Sequence, residues 1–129
     1  MASLGGQSTP AIGFALGIER TLLAIPDSAE SYEPALAVFF APMDAAALDY
    51  ALPIAQKLRG KGIRTEIEHR PNKVGKMMGR ANKLRARAAV IIGENEMASG
   101  KLTVKDLAHG TQSEVAVADL EAKIRQLLD

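Results

Sequence analysis

A chain of 129 residues, 47% apolar and 24% charged, is long enough to bury a core of its own and has the make-up of a soluble globular domain. It has no run of 18 apolar residues to span a bilayer, no charged-then-apolar start of an export signal, and no cysteine for a disulfide, a thiolate nucleophile or a Cys metal site, so a cytoplasmic setting fits. The net charge of +1 conceals a block: residues 69–87 carry seven Lys or Arg and no acid, between flanks with five basic against eight acidic and four against seven. Such a block either collects phosphates by counterion release or forms a solvated helix face. The two histidines, His69 and His109, are distant and make a poor metal pair.

In chain order, TPAIGFALGIERTLLAI places glycines at 13 and 17 ahead of an apolar helical pattern. PDSAESYEP, residues 26–34, has no apolar periodicity and two bounding prolines, the marks of a linker. ALAVFFAP is a continuous apolar run of strand length, suited to burial on both faces of a sheet. Asp44 is placed to cap a helix whose apolar side is Leu48, Ala51, Leu52, Ala55 and Leu58, ended by Gly60 and Gly62. Pro53 inside it removes a backbone donor and should cost up to ~3 kcal/mol or leave a kink. IRTEIEH alternates, with Ile63, Thr65 and Ile67 on one side, and predicts a half-exposed strand.

Lys73 to Arg85 reads as a second helix with Val74, Met77, Met78, Ala81 and Leu84 as its apolar stripe; Lys73, Lys76, Arg80, Lys83 and Arg87 fall on or beside the opposite face. AAVIIG is a third, fully buried strand. KLTVKDL and SEVAV are short strands around the turn HGTQ, and ADLEAKIRQLL closes as an amphipathic helix through Leu120, Ile124, Leu127 and Leu128. The expected order is β-α-β-α-β-β-β-α. That implies an α/β domain of three layers, with a mixed, mostly parallel five-stranded sheet flanked by helices and finished by antiparallel edge strands.

Catalytic signatures are missing: no Gly-rich phosphate loop, no nucleophile elbow, no carboxylate pair in a defined context. Glu94 and Glu96 lie just past a buried strand, where open α/β sheets place their ligands, although a turn accounts for them equally well. With Phe14, Phe39, Phe40, Tyr32 and Tyr50 as the only aromatics, a base-stacking platform is disfavoured.

GFALGIER (13 to 20) with the following TLLAI resembles the third signature motif of class II aminoacyl-tRNA synthetases of the histidyl type. LPIAQKLRGKGIRTEI, ANKLRARAAVIIGENE, GKLTVKDL and the closing helix resemble the C-terminal anticodon-binding domain of the same family, so the likeness runs from about Pro10 to the end. It implies three parts: residues 1–25 as the end of a catalytic domain (third-motif strand and helix), 26–34 as a linker, and 35–129 as an anticodon-binding domain. By the same resemblance Arg20 stands where the family holds the ATP γ-phosphate, and Gly17 allows close backbone approach; both are remnants of an ATP site whose other motifs are absent.

The chain alone is therefore expected to be inactive and to need no cofactor, while its full-length parent, a ligase that charges tRNA(His), uses ATP and Mg. Glu96, in the Gly93-to-Glu96 turn, is implied as the residue that reads anticodon base edges, with Lys105 near the same bases; Lys73, Lys76, Arg80 and Lys83 supply phosphate contacts. The expected partners are tRNA(His), the missing catalytic domain, and a second copy through residues 11–25. Two alternatives stand beside this: a synthetase-like regulatory or protein-interaction domain without RNA binding, and a small doubly wound enzyme.

Overall fold

The structure, a computed structural model, describes residue 5 and residues 12–25 and 36–129. The expected linker at 26–34 lies outside the described residues. Two compact units separate, Met1–Glu33 and Pro34–Asp129. In the first, Gly17 precedes a short helix α1 (Ile18–Leu23), and the Thr21 hydroxyl donates to the Gly17 carbonyl at 3.0 Å. Among the described residues ahead of it, 12–17, the expected strand is not seen. Residues 12–17 have no regular structure, because a strand needs a neighbour for its ladder and none of the described residues supplies one. No residue of α1 is buried.

The second unit holds β1 (Val38–Pro42), α2 (Ala45–Gly60), β2 (Thr65–Ile67), α3 (Val74–Lys83), β3 (Ala88–Ile92), α4 (Glu94–Ser99), β4 (Lys101–Asp106), β5 (Gln112–Ala116) and α5 (Leu120–Leu128), the last entered through a 3-10 turn at Val117–Asp119. The sheet order is β2-β1-β3-β4-β5, with β1 parallel to both β2 and β3, and β4 antiparallel to β3 and β5. The order differs from the expected one by α4, a single short helix where the sequence read as a turn. No helix of the described residues is long and apolar enough to cross a membrane.

The chain leaves β1 for β2 on one side, then returns across it to β3 on the other. Crossovers of one hand in opposite directions put their helices on opposite faces. The two cores agree. Val38, Phe40, Ile67, Val90 and Ile92 pack with Ala47, Ala51, Ala55, Leu58, Leu120 and Ile124 beneath α2 and α5. Phe39 and Ala41 pack with Met77, Ala81 and Ala86 beneath α3. Both phenylalanines of β1 are fully buried, one to each face, and each contributes about 1.5–3 kcal/mol.

Asp44 caps α2 as expected, its Oδ1 accepting from the Ala47 N–H at 2.7 Å, and Gly62 at φ +77° ends the helix's last turn. The helix runs through Pro53 without interruption; the proline is exposed. Of its expected apolar side, Ala51, Ala55 and Leu58 are buried and Leu48 packs against the same core; Ala47 and Leu52 differ. Ala47, Ala51 and Ala55 point inward and Leu52 is 41% exposed, since small side chains at steps of four let α2 lie close against the sheet. Leu84, expected in the stripe of α3, is likewise 41% exposed, because the helix ends at Lys83 and Arg85 turns the chain at φ +52°.

Candidate nucleic-acid interface

α3 buries Met77 and Ala81 against Phe39 and Ala41 and sends its cations outward. Lys76 and Lys83, two turns apart, are exposed and make no ion pair with any described residue. Lys73 is the N-cap, and the first turn contains no acid to offset the positive end of the helix dipole. Cations there cost roughly 0.3–1 kcal/mol each, and the same arrangement suits an anion.

Arg80 is different. Its Nη1 donates to both oxygens of Glu68, at 2.9 and 3.0 Å, and its Nη2 lies 3.5 Å from Glu66. Burial raises the Glu68 pKa, but the Arg70 N–H, the Arg80 guanidinium and the nearby His69 outweigh it and hold the carboxyl below its usual range. Thus Arg80, expected to contact phosphate, is already paired with the only buried glutamate among the described residues. Glu68, Arg70, Asn72, Lys76, Met77 and Arg80 line a cleft of about 240 Å³.

The carboxyl ends of β1 and β3 form the second element. Gly93 caps α4, and having no side chain it borrows one: Glu96 Oε2 accepts from the Gly93 N–H at 3.0 Å. A Cβ at Gly93 would sit 3.3 Å from that oxygen and 3.4 Å from Met43 Cγ, so the position is tight. Glu96 Oε1 accepts from the Thr103 hydroxyl on β4 at 2.8 Å. The expected base reader is therefore also a tie between α4 and the sheet.

Register places these parts relative to one another. Ala41, Ile91, Thr103 and Glu114 stand in one row across the sheet, and Phe39, Ala89, Lys105 and Gln112 in another, all on the face that α3 covers. α3 roofs the β1 side of this face. Over β4 and β5 the same face carries Thr103 and Lys105, half-buried, and Gln112 and Glu114, exposed. Lys105 is two residues along β4 from Thr103, about 7 Å at strand rise. The cationic helix and the open polar strands are neighbours on one side of the sheet.

At the opposite end of β4, Asp106 accepts from the Arg87 guanidinium, from the Ala108 and His109 backbone N–H groups, and meets His109 Nδ1 at 2.8 Å. The His109 ring bond first, then the backbone and Arg87 bonds, overcome burial and hold the Asp106 pKa far below its usual value. The sequence reading missed this cluster, whose members come from the end of β4, the turn after it and the residue just ahead of β3. Because folding depresses both the Glu68 and Asp106 pKa values, their contribution is complete above the unfolded values near 4 and is lost as pH falls toward the folded ones. Thermal melts should show a midpoint insensitive to these groups from pH 7 to about 5 and falling below about 4. Asp106→Asn should lower the plateau and flatten that fall. No group of three or more His, Cys, Asp or Glu among the described residues is placed to hold a metal.

The anticodon binding domain family matches residues 37–127. The chain belongs to that family. This anticodon binding domain is similar to histidine–tRNA ligases of Pelobacter propionicus, 42% identical over 91% of the chain and 28% of that protein, and of Sorangium cellulosum, 40% identical over the whole chain and 29% of that protein. The chain thus spans less than a third of the length of these relatives. Among solved structures it resembles the histidyl-tRNA synthetase of Nostoc sp. PCC 7120 (TM-score 0.70, 33% identity, 74% of this chain and 23% of that one). The RNA binding domain of threonyl-tRNA synthetase from Cryptosporidium parvum Iowa II, with a TM-score of 0.64 at 18% identity over 70% of this chain and 23% of that one, shares the fold.

Gly17 and Arg20, expected as the remnant of an ATP site, lie in the unit ahead of the domain. Arg20 is exposed on the six-residue α1, and the nearest atoms to a Cβ at Gly17 are those of Arg20 itself.

Proposed function

We propose that this domain binds the anticodon arm of tRNA(His) as the C-terminal module of a histidine–tRNA ligase acting in the cytoplasm. The observation that carries the reading is the placement of the cationic helix α3 on the same side of the sheet as the open polar face of β4 and β5, where Thr103 of β4 holds Glu96. Lysines contact phosphates and fix position, whereas strand-borne polar groups meet unstacked bases. The similarity to histidine–tRNA ligases supports the choice of tRNA. Histidine activation, with its ATP and Mg, belongs to the portion of such a ligase beyond this chain. The test is filter binding of a tRNA(His) transcript against one with an exchanged anticodon, across a salt series. A preference for the first and a log–log slope of several units are expected; salt-insensitive or absent binding would favour the protein-interaction alternative.

Residues 12–25 expose Ile12, Phe14, Leu16, Ile18, Leu22 and Leu23. Contiguous apolar surface seeks cover, and we assign that cover to the ligase's catalytic part or, when this chain is alone, to a second copy. Light scattering on the purified chain should then report more than a monomer, and a strict monomer would count against it.

A further inference from the structure

Glu96 is held by two donors of its own chain, the Gly93 N–H on Oε2 and the Thr103 hydroxyl on Oε1. An ionised carboxylate offers about four acceptor directions, so two remain for a ligand. The side chain is half-buried and keeps partial access to solvent. With only the Gly93 bond the group would pivot about one oxygen; the Thr103 bond fixes its plane. Thr103 is itself rigidly placed, on a strand paired on both sides, opposite Ile91 of β3 and Glu114 of β5. Recognition gains most from a polar group held in its binding geometry before the ligand arrives.

We propose that Thr103 is a positioning residue for base recognition, its hydroxyl setting the Glu96 carboxylate so that the remaining lone pairs meet amino or imino donors of an anticodon base. The proposal rests on the reading of Glu96 as a base reader. A residue that only stabilised the fold would change affinity for all RNAs together; a positioning residue changes the ratio between them.

The test uses the full chain and an RNA hairpin with the anticodon arm of tRNA(His), alongside hairpins with each anticodon base changed in turn, all at one salt concentration. Thr103→Val should reduce the preference for the first hairpin by about 3–10-fold, the worth of one hydrogen bond of ordinary net strength, and leave binding of the changed hairpins as it was. Thr103→Ser, which keeps the hydroxyl, should restore the preference. In a Glu96→Ala background Thr103→Val should have no further effect. If Thr103→Val does not fold, Thr103→Ala carries the same comparison. Loss of preference in Glu96→Ala but not in Thr103→Val would overturn the positioning role and leave the base-reading role standing. Full preference in Glu96→Ala would remove the base-reading role and the proposal with it. An equal loss of affinity for every hairpin in Thr103→Val would make Thr103 merely structural, and would also overturn it.

Discussion

Glu96→Ala is expected to weaken this domain twice, in its fold and in its discrimination. The Gly93 N–H loses its cap and β4 loses its tie to α4, a cost of about 0.5–2 kcal/mol in stability by analogy with other helix caps. Loss of a base-specific contact costs on the order of 1–3 kcal/mol on the cognate anticodon and little on others. Glu96→Gln separates the two effects. A glutamine oxygen can still accept from Gly93, and the Thr103 hydroxyl can rotate to accept from the amide, so the melting midpoint should stay near that of the parent. The amide nevertheless presents a donor where the carboxylate presented an acceptor, so the preference should fall. Retention of full preference by Glu96→Gln would show that the carboxylate is not what the base meets.

The cations of α3 are expected to divide into two classes. Replacing Lys76 and Lys83 with alanine should lower the salt slope for tRNA by roughly one to two, at about 0.7–0.9 per lost phosphate contact, for every anticodon alike. Stability should move by no more than about 0.5 kcal/mol, because both side chains are exposed. Arg80→Ala should do the reverse. It strands the buried Glu68 with the Arg70 N–H alone and removes the Glu66 pair, costing on the order of 1–3 kcal/mol and several degrees of melting temperature, with the slope nearly unchanged. A reduced slope with an unchanged midpoint would mean that the guanidinium leaves Glu68 for phosphate when RNA binds.

Much of the fold was legible because it rests on patterns local to the sequence. The apolar runs of β1 and β3, the Asp44 cap and the periodicity of α3 each show within a few residues. The flanking detail was less visible. GENEMAS looks like a turn, because a six-residue helix has too few apolar positions to show a period and its cap comes from Glu96 reaching back to a glycine. Leu52 and Leu84 look like core residues by spacing, yet which face turns inward depends on how closely α2 approaches the sheet and where α3 stops. At the candidate interface the sequence shows the charge of α3 but not its partners. Glu68 meets Arg80 across twelve positions, and Thr103 meets Glu96 only after the chain has rounded α4. The acid just before the basic block was the one hint that part of that charge would be answered from within.

The internal pairing of Arg80 and Arg87 bears on the kinetics of capture as well as on the equilibrium. Both guanidiniums face carboxylates of their own fold, so an arriving polyanion meets a weaker field than the seven basic residues of 69–87 would create. What remains to steer it includes the exposed Lys73, Lys76 and Lys83, strung along one helix. A short line of charge of this kind accelerates encounter less than a full patch does, but it favours approaches along one direction. The association rate should accordingly depend only moderately on ionic strength, leaving most of the distinction between anticodons to the lifetime of the complex.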